Sequence, residues 1–328
     1  MAHSPGGPLS LGHLLALSQF TQGRGKVGRN KAGESMYRQQ ANILISTDHG
    51  TMIVNRFDYR MTDETRGIGV GWQLMNSGQY DMKEVGFLKF LLERRLKDHG
   101  DGVVAIDCGA NIGVHTIEWA KLLHKRGNVI ALEAQEQVYY ALCGNIALNN
   151  CFNVKALNCA SGDENKIINM PTPDYFRPSS FGSLEIKQSD KSENIGQTLE
   201  EFSEVQQITL DSLVLERLDL LKIDVEGMEF ETLAGAKTTI SQYKPLLLIE
   251  AIKVDGEKMR YLLEEWGYDV YPLDGNFFAA SALIGGGVTD AASQLHPLDQ
   301  QYNSLESTIE LVPGGSQEHA VIQKYATS

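Results

Sequence analysis

Val103-Val-Ala-Ile-Asp-Cys-Gly-Ala-Asn-Ile-Gly113 decides how the rest of the chain is read. Val103 to Ile106 has the pattern of a buried strand, Asp107 is an acid at its end, and the small residues up to Gly113 form a tight turn that opens a helix. Strand, glycine turn and helix in that order build a nucleotide pocket at the carboxyl end of a first parallel strand. The acid selects among nucleotides. A pyrophosphate held at the helix N-terminus would be repelled by a carboxylate at the strand tip. S-adenosylmethionine has no phosphate and carries a cationic sulfonium and an ammonium, so Asp107 would attract it. Gly109 lets backbone approach a ligand, and Gly113 lets the helix pack close to the strand. The spacing is G-x-x-x-G, not the G-x-G-x-x-G of dinucleotide sites. The expected cofactor is S-adenosylmethionine, and the expected chemistry is methyl transfer rather than NAD-dependent hydride transfer.

Outward from this stretch, strands and helices alternate. A helix is expected from about Gly113 to Leu123, a strand over Asn128 to Leu132, a helix from about Gln137 to Leu148 and a strand over Val154 to Asn158. Leu220 to Val225 reads as a fourth strand, followed by a helix through Ile240 that stops before Pro245. Leu246 to Ile249 is a fifth strand, Glu257 to Trp266 a helix ended by Gly267, and Tyr268 to Tyr271 with Phe277 to Ala280 a closing antiparallel hairpin. Apolar strands alternating with helices imply an α/β fold with a mostly parallel sheet covered on both faces. Before it, Ile43 to Ile45 and Thr51 to Val54 flank Asp48-His49-Gly50 as a hairpin, and Asp81 with Glu84 forms a capping box for a helix closed by Gly100.

Three further segments carry candidate site residues. Glu133 closes the second strand, where an acid can accept both ribose hydroxyls of a nucleoside. Ala160-Ser161-Gly162-Asp163 follows the third strand and would lie against an adenine, with Ser161 or backbone amides reading its edge. Leu221-Lys-Ile-Asp-Val-Glu-Gly-Met-Glu229 ends a buried strand in three carboxylates. Asp224 would sit at the sheet's ligand edge beside the sulfonium; Glu226 and Glu229 begin a helix whose dipole suits their charge. Asp224 and Glu226 are the first candidates for a base or for positioning an acceptor, and His115 on the first helix is another. Glu250 closes the fifth strand and could complete an oxygen-rich cluster with Asp224, of a kind that suits Mg²⁺ or Ca²⁺. No metal-specific spacing is present, and no metal ligand is assigned.

The 328 residues divide into a tail (1–40), a hairpin and helix packing on the core (41–100), the cofactor domain (101–284) and a polar tail from Gly285 to 328 expected to be mostly disordered. A short helix near Leu11 to Phe20 is expected in the first tail. Residues 163–207, with Pro171, Pro173 and Pro178, have no clear periodicity and read as a functional loop or mobile insert. Within it Tyr175, Phe176, Phe181 and Ser183 suit either a sugar-binding lid or a cluster that anchors the loop. The net charge of −13 disfavours nucleic acid and anionic membrane as partners. Cys108, Cys143, Cys151 and Cys159 form no C-x-x-C pair and read as free thiols. With neither a signal peptide nor an apolar run of spanning length, a cytoplasmic protein is expected.

Asp107-Cys-Gly-Ala-Asn-Ile-Gly113, Ile130-Ala-Leu-Glu133, Asn145-Ile-Ala-Leu-Asn149 and Leu221 to Glu229, followed by Leu233-Ala-Gly-Ala236, together resemble the FkbM family of methyltransferases over roughly residues 50 to 280. The resemblance implies the class I methyltransferase (Rossmann-like) fold, a seven-stranded sheet whose last strand is antiparallel. It implies S-adenosylmethionine as cofactor and a hydroxyl-bearing acceptor, most often a sugar of a glycan, glycolipid or polyketide. By motif, Asp107, Gly109 and Asn111 would line the methionine end, Glu133 would hold the ribose, and Asp224 and Glu226 would face the methyl group. Where members often carry Glu-Pro, this chain has Glu133-Ala134-Gln135. Competing readings are an NAD-type oxidoreductase and a non-catalytic nucleoside-binding scaffold. Methylation of nitrogen is disfavoured because no Asn/Asp-Pro-Pro-Tyr/Phe follows the fourth strand. Homo-oligomerisation is left open.

Overall fold

Near-continuous apolar strands such as Leu220-Leu-Lys-Ile need cover on both faces, and a layered sheet results. The computed structural model describes residues 40–187, 192–273 and 276–281. The expected short helix in the first tail and the expected disorder from Gly285 fall outside these residues.

The chain opens with a hairpin of β1 (Asn42–Thr47) and β2 (Gly50–Asn55), in register Thr47 to Gly50 around Asp48-His49 as the sequence implies. The short pair β3 (Arg60–Met61) and β4 (Gly67–Ile68) leads into α1 (Val70–Ser77). α2 (Met82–His99) is capped by Asp81, whose carboxylate accepts the Glu84 amide at 3.4 Å, and ends at Gly100. Then come β5 (Val103–Cys108), α3 (Val114–Leu122), β6 (Gly127–Glu133), α4 (Glu136–Leu148) and β7 (Val154–Asn158). β8 (Ala160–Ser161), β9 (Lys166–Thr172) and β10 (Glu201–Ile208) form a separate three-stranded sheet. The last stretch holds β11 (Leu220–Ile223), α5 (Glu229–Ala234), α6 (Lys237–Tyr243), β12 (Leu246–Glu250), α7 (Gly256–Glu265), β13 (Tyr268–Leu273) and β14 (Asn276–Ser281).

The main sheet has the order β13-β14-β12-β11-β5-β6-β7. All neighbours are parallel except around β14, which pairs antiparallel with both β12 and β13. This is the class I methyltransferase topology. The chain order reverses at β5, which lies between β6 and β11, and such a switch point opens a crevice at the carboxyl ends of the strands. Successive strand residues feed opposite layers. Ala105, Leu220 and Leu248 join α2, α3 and α4 in one core, while Ile106, Leu221 and Ile249 join α5, α6 and α7 in the other.

Two expectations need correction. The helix after β11 is not continuous to Ile240 but breaks between α5 and α6. A Cβ at Gly235 would come 1.9 Å from the Gly162 carbonyl, so backbone of the β8 turn occupies the side-chain space there. α6 is then capped from outside: Asp211 accepts the amides of Thr238 (3.1 Å) and Thr239 (2.8 Å). The stretch 163–207 is not without regular structure, because β9 and β10 pair over seven residues from Lys166/Gln207 to Thr172/Glu201. Pro171 is tolerated since β9 is an edge strand, which has a side free of ladder bonds. α1 and the β3–β4 pair were not foreseen.

Gly109 shows how tightly the switch point is built. Its φ is +78°, and a Cβ would lie 1.7 Å from the backbone oxygen of Asp224. The turns after β5 and β11 therefore touch through backbone. Gly109→Ala is expected to cost about 3 kcal/mol or more, from left-handed strain plus overpacking, and to lower the urea midpoint without changing the slope.

Candidate active site

A cavity of about 310 Å³ opens at the carboxyl ends of β5, β6, β11 and β12. Its roof comes from Ile68 to Val70 ahead of and within α1 and from a strap around Ser180 to Ile186. Gly109, Asn111, His115, Glu133, Ala160, Ser161, Asp224 and Glu226 all line it, so the fold brings eight of the ten candidate residues together.

Asp107 and Gly113 do not line the cavity. β5 runs to Cys108, so Asp107 lies inside the strand rather than at its tip. It is fully buried; Thr116 donates to it at 2.6 Å, and Lys222, its register partner on β11, stands 4.0 Å away. Its charge is shared with that lysine instead of facing solvent. Gly113 caps α3 at φ +93°, and a Cβ there would strike Leu142 of α4 at 2.5 Å. Its smallness serves packing between helices.

At one end of the cavity, Glu133 is buried at the end of β6. Its two carboxylate oxygens accept the amides of Gln135 (2.8 Å) and Asn111 (2.9 Å). Burial outweighs those bonds and pushes its pKa up to about 7. Each oxygen keeps lone-pair capacity for a further donor. Asn111 holds a left-handed turn (φ +50°), which Asn adopts at little cost, with its side chain accepting the Ile112 amide at 2.7 Å. Beyond Glu133, Leu132, Cys159, Ala160 and Met170 make an apolar slot. The Ser161 hydroxyl at its edge pairs with Thr232 at 2.7 Å. Tyr175 and Phe181 pack at 4.8 Å between centroids, and the Tyr175 hydroxyl donates to Gln135 at 3.0 Å; these two rings anchor the strap.

The other end is charged. Lys222, buried within β11, donates to Asp224 at 2.7 Å. Burial opposes its charge, but Asp224, Asp107 and Glu84 together hold its pKa well above the ordinary lysine value. Oxygens of Asp224, Glu226 and Glu250 lie within 4.8 Å of one another, the arrangement of a cation site. That space is already shared with two ammonium groups, since Lys253 pairs with Glu226 and Lys222 with Asp224. Burial first, and then the Asp224 charge, raise Glu226 to about 9 and Glu250 to about 8. Glu226 sits at φ +55° in a turn tied by Glu229, which accepts the amides of Val225 (3.2 Å) and Gly227 (3.1 Å). Glu229 is fully buried and outside the wall, so it shapes the turn. His115 contacts Glu84 at 3.1 Å, and Glu84 also accepts from Asn276 at 2.7 Å. Burial favours protonated Glu84, but His115 and Lys222 outweigh it and leave its carboxyl below the usual value.

Glu84, Gln135 and Lys222 line the cavity and Lys253 pairs with Glu226, yet the sequence marks none of the four as a candidate. Lys222 had a legible signal: a lysine at a buried strand position must find charged partners. Glu84 was read only as part of the capping box, and Lys253 had no motif to mark it.

These raised carboxylates make stability fall with pH. Each is protonated in the folded state at pH values where the unfolded chain has lost that proton, so the folded state binds more protons and stability declines as pH rises. For Glu133, between its ordinary value and about 7, the loss is about 3 kcal/mol. The melting temperature of the ligand-free chain is expected to drop between about pH 5 and about pH 8 by calorimetry.

Residues 107–270 match the Methyltransferase FkbM domain. Over 191 residues the chain is 27% identical to methyltransferase sdnD of Sordaria araneosa, covering 50% of this chain and 73% of that protein. Over 152 residues it is 27% identical to methyltransferase 1 of Beauveria bassiana (strain ARSEF 2860), covering 41% and 59%. Among solved structures, the methyltransferase FkbM from Methylobacillus flagellatus KT aligns with a TM-score of 0.38 and 17% identity over 55% of this chain and 43% of that one. No helix of the described residues is long and apolar enough to cross a membrane. By its matched domain and its sheet order, the chain belongs to the FkbM methyltransferases.

Proposed function

We propose that the protein is an S-adenosylmethionine-dependent O-methyltransferase acting on a hydroxyl of a sugar, glycan or glycolipid-type acceptor. The observation that carries this reading is the cavity itself, which has a buried carboxylate and an apolar slot at one end and a carboxylate cluster at the other. The donor set suits the cofactor. Glu133 would accept the ribose hydroxyls, the slot of Leu132, Cys159, Ala160 and Met170 would take the adenine, and the carboxylate-rich end suits a cationic sulfonium and ammonium.

When bound, S-adenosylmethionine supplies the activated methyl carbon. The protein aligns the acceptor and removes its proton. Glu226 and Glu250 are the better matched bases, because a carboxylate held near the operating pH both takes a proton and gives it up. Asp224, held by Lys222 at 2.7 Å, would orient the acceptor hydroxyl. His115 is held by Glu84 and would act through that pair.

A carboxylate base works only after losing its proton, so turnover is expected to rise as pH increases through about 8 to about 9. A rate that falls over this range would exclude Glu226 and Glu250 as bases. The functional test is transfer of labelled methyl from S-adenosylmethionine to a panel of cellular glycans and lipids, with the modified atom located by mass spectrometry.

A further inference from the structure

Resting on the transferase reading, we propose that the acceptor carries no negative charge: it is a neutral, hydroxyl-rich molecule, with an ammonium group tolerated and a phosphate, sulfate or carboxylate rejected. The part of the cavity away from Glu133 is walled by Asp81, Glu84, Asp224, Glu226 and Glu250. Among the described residues, the basic side chains in the wall are Lys222 and His115, and each stands against a carboxylate. Lys222 lies between Asp224 (2.7 Å) and Asp107 (4.0 Å), and His115 rests on Glu84 at 3.1 Å. At the rim, Lys253 is taken up by Glu226, with Glu193 at 3.7 Å and Glu185 at 3.8 Å. No arginine lines the cavity among the described residues. An anionic group would have to strip one of these pairs or stand unpaired among carboxylates in a partly desolvated cleft.

One atom asks for the opposite kind of ligand. Glu250 Oε2 is buried in the wall and accepts no hydrogen bond. A buried acceptor without a donor is costly, and a hydroxyl or ammonium group cures the deficit whereas a phosphate or carboxylate adds to it. Asp81, Glu84 and Asp224 are thereby assigned a role in repelling an anion, and Glu250 one in taking the hydrogen of a hydroxyl or ammonium group.

Two measurements on the full chain test this. First, the S-adenosylhomocysteine-loaded protein is titrated calorimetrically with methyl glucoside, glucosamine and glucose 6-phosphate, which share a ring and differ in charge. Glucose 6-phosphate is expected to bind at least about tenfold more weakly than either of the others, or not at all. Binding of glucose 6-phosphate as tight as either overturns the proposal. Second, labelled methyl is transferred to a cell extract that is then separated by ion exchange. Label is expected in the neutral and cationic fractions, and label mainly in the anionic fraction overturns the proposal. A chain that binds S-adenosylmethionine but labels anions refutes this inference alone, whereas one that neither binds the cofactor nor transfers label refutes the transferase reading. Asp81→Asn keeps the helix cap and removes a charge, and is expected to strengthen glucose 6-phosphate binding severalfold over the unmodified chain.

Discussion

Glu133→Ala is expected to weaken S-adenosylmethionine binding at least about a hundredfold, which is about 3 kcal/mol or more. The size follows from what the carboxylate does. It stands buried at the end of β6 and gathers the amides of Asn111 and Gln135, so it fixes the turn after β5 and the start of α4 at once. Its remaining acceptor capacity is the only charged one at that end of the cavity wall, among the described residues. On the proposed reading, truncation removes the hydrogen bonds to the cofactor, and it leaves the amides of Asn111 and Gln135 without their carboxylate partner, each a cost of about 1–3 kcal/mol where buried. Because the second loss also lowers stability, Glu133→Gln is the sharper probe. The amide keeps the volume and one acceptor oxygen while losing the charge. Calorimetric titration should give Glu133→Gln an intermediate affinity and Glu133→Ala none that can be measured. The same substitutions should remove the Glu133 share of the pH dependence of stability between about 4.5 and about 7, about 3 kcal/mol, and leave the shares of Glu226 and Glu250 in place. Full cofactor affinity in both variants would remove Glu133 from the site.

The reach of the sequence can be judged at particular residues. The βα rhythm, the central strand, the closing hairpin and the capping box were legible because their signals are local: apolar runs, a turn residue, a cap three positions before its partner. The place of Glu133 and Asp224 in the cavity wall was legible because strand ends at a switch point border the crevice in any sheet of this kind. Strand β5 outruns its expected end at Ile106 by two residues. It continues through Cys108, and this turns the Asp107 carboxylate inward against Thr116 and Lys222. No local pattern announces where a strand stops. Asp211 capping α6, Gly162 breaking the helix at Gly235, and Lys253 reaching Glu226 are likewise contacts between segments far apart in sequence. They arise from tertiary packing, which periodicity does not encode. The β9–β10 hairpin failed for a different reason: its inward face is a small cluster of Met170 and Val205 with Ala160, too short an apolar pattern to stand out beside three prolines.

Asp224→Asn is expected to leave cofactor affinity within about tenfold and to cut turnover at least about a hundredfold. Two roles for Asp224 make opposite predictions about pH. As a tuning charge, it is the second cause, after burial, of the raised proton affinity of Glu226 and Glu250. Removing it would lower both values, ionise the bases at a lower pH and raise the rate at neutral pH. As the group that orients the acceptor hydroxyl, its loss reduces the rate at every pH, because misaligned reactants are not rescued by a stronger fraction of ionised base. The geometry favours the second role. Asp224 follows β11 directly on the cavity wall with one oxygen fixed by Lys222 at 2.7 Å, so its carboxylate is held in place. Cofactor affinity should survive, because the substitution leaves Glu133 and the apolar slot intact and removes one of several negative charges at the sulfonium end. The measurement is a turnover profile from about pH 6 to about pH 9 for both proteins, with the cofactor dissociation constant taken alongside. A profile that is depressed throughout, with its rising limb moved to lower pH, identifies Asp224 as the aligning group and leaves proton removal to Glu226 and Glu250. A variant as fast as the unmodified chain, with only the limb displaced, would reduce Asp224 to a neighbouring charge.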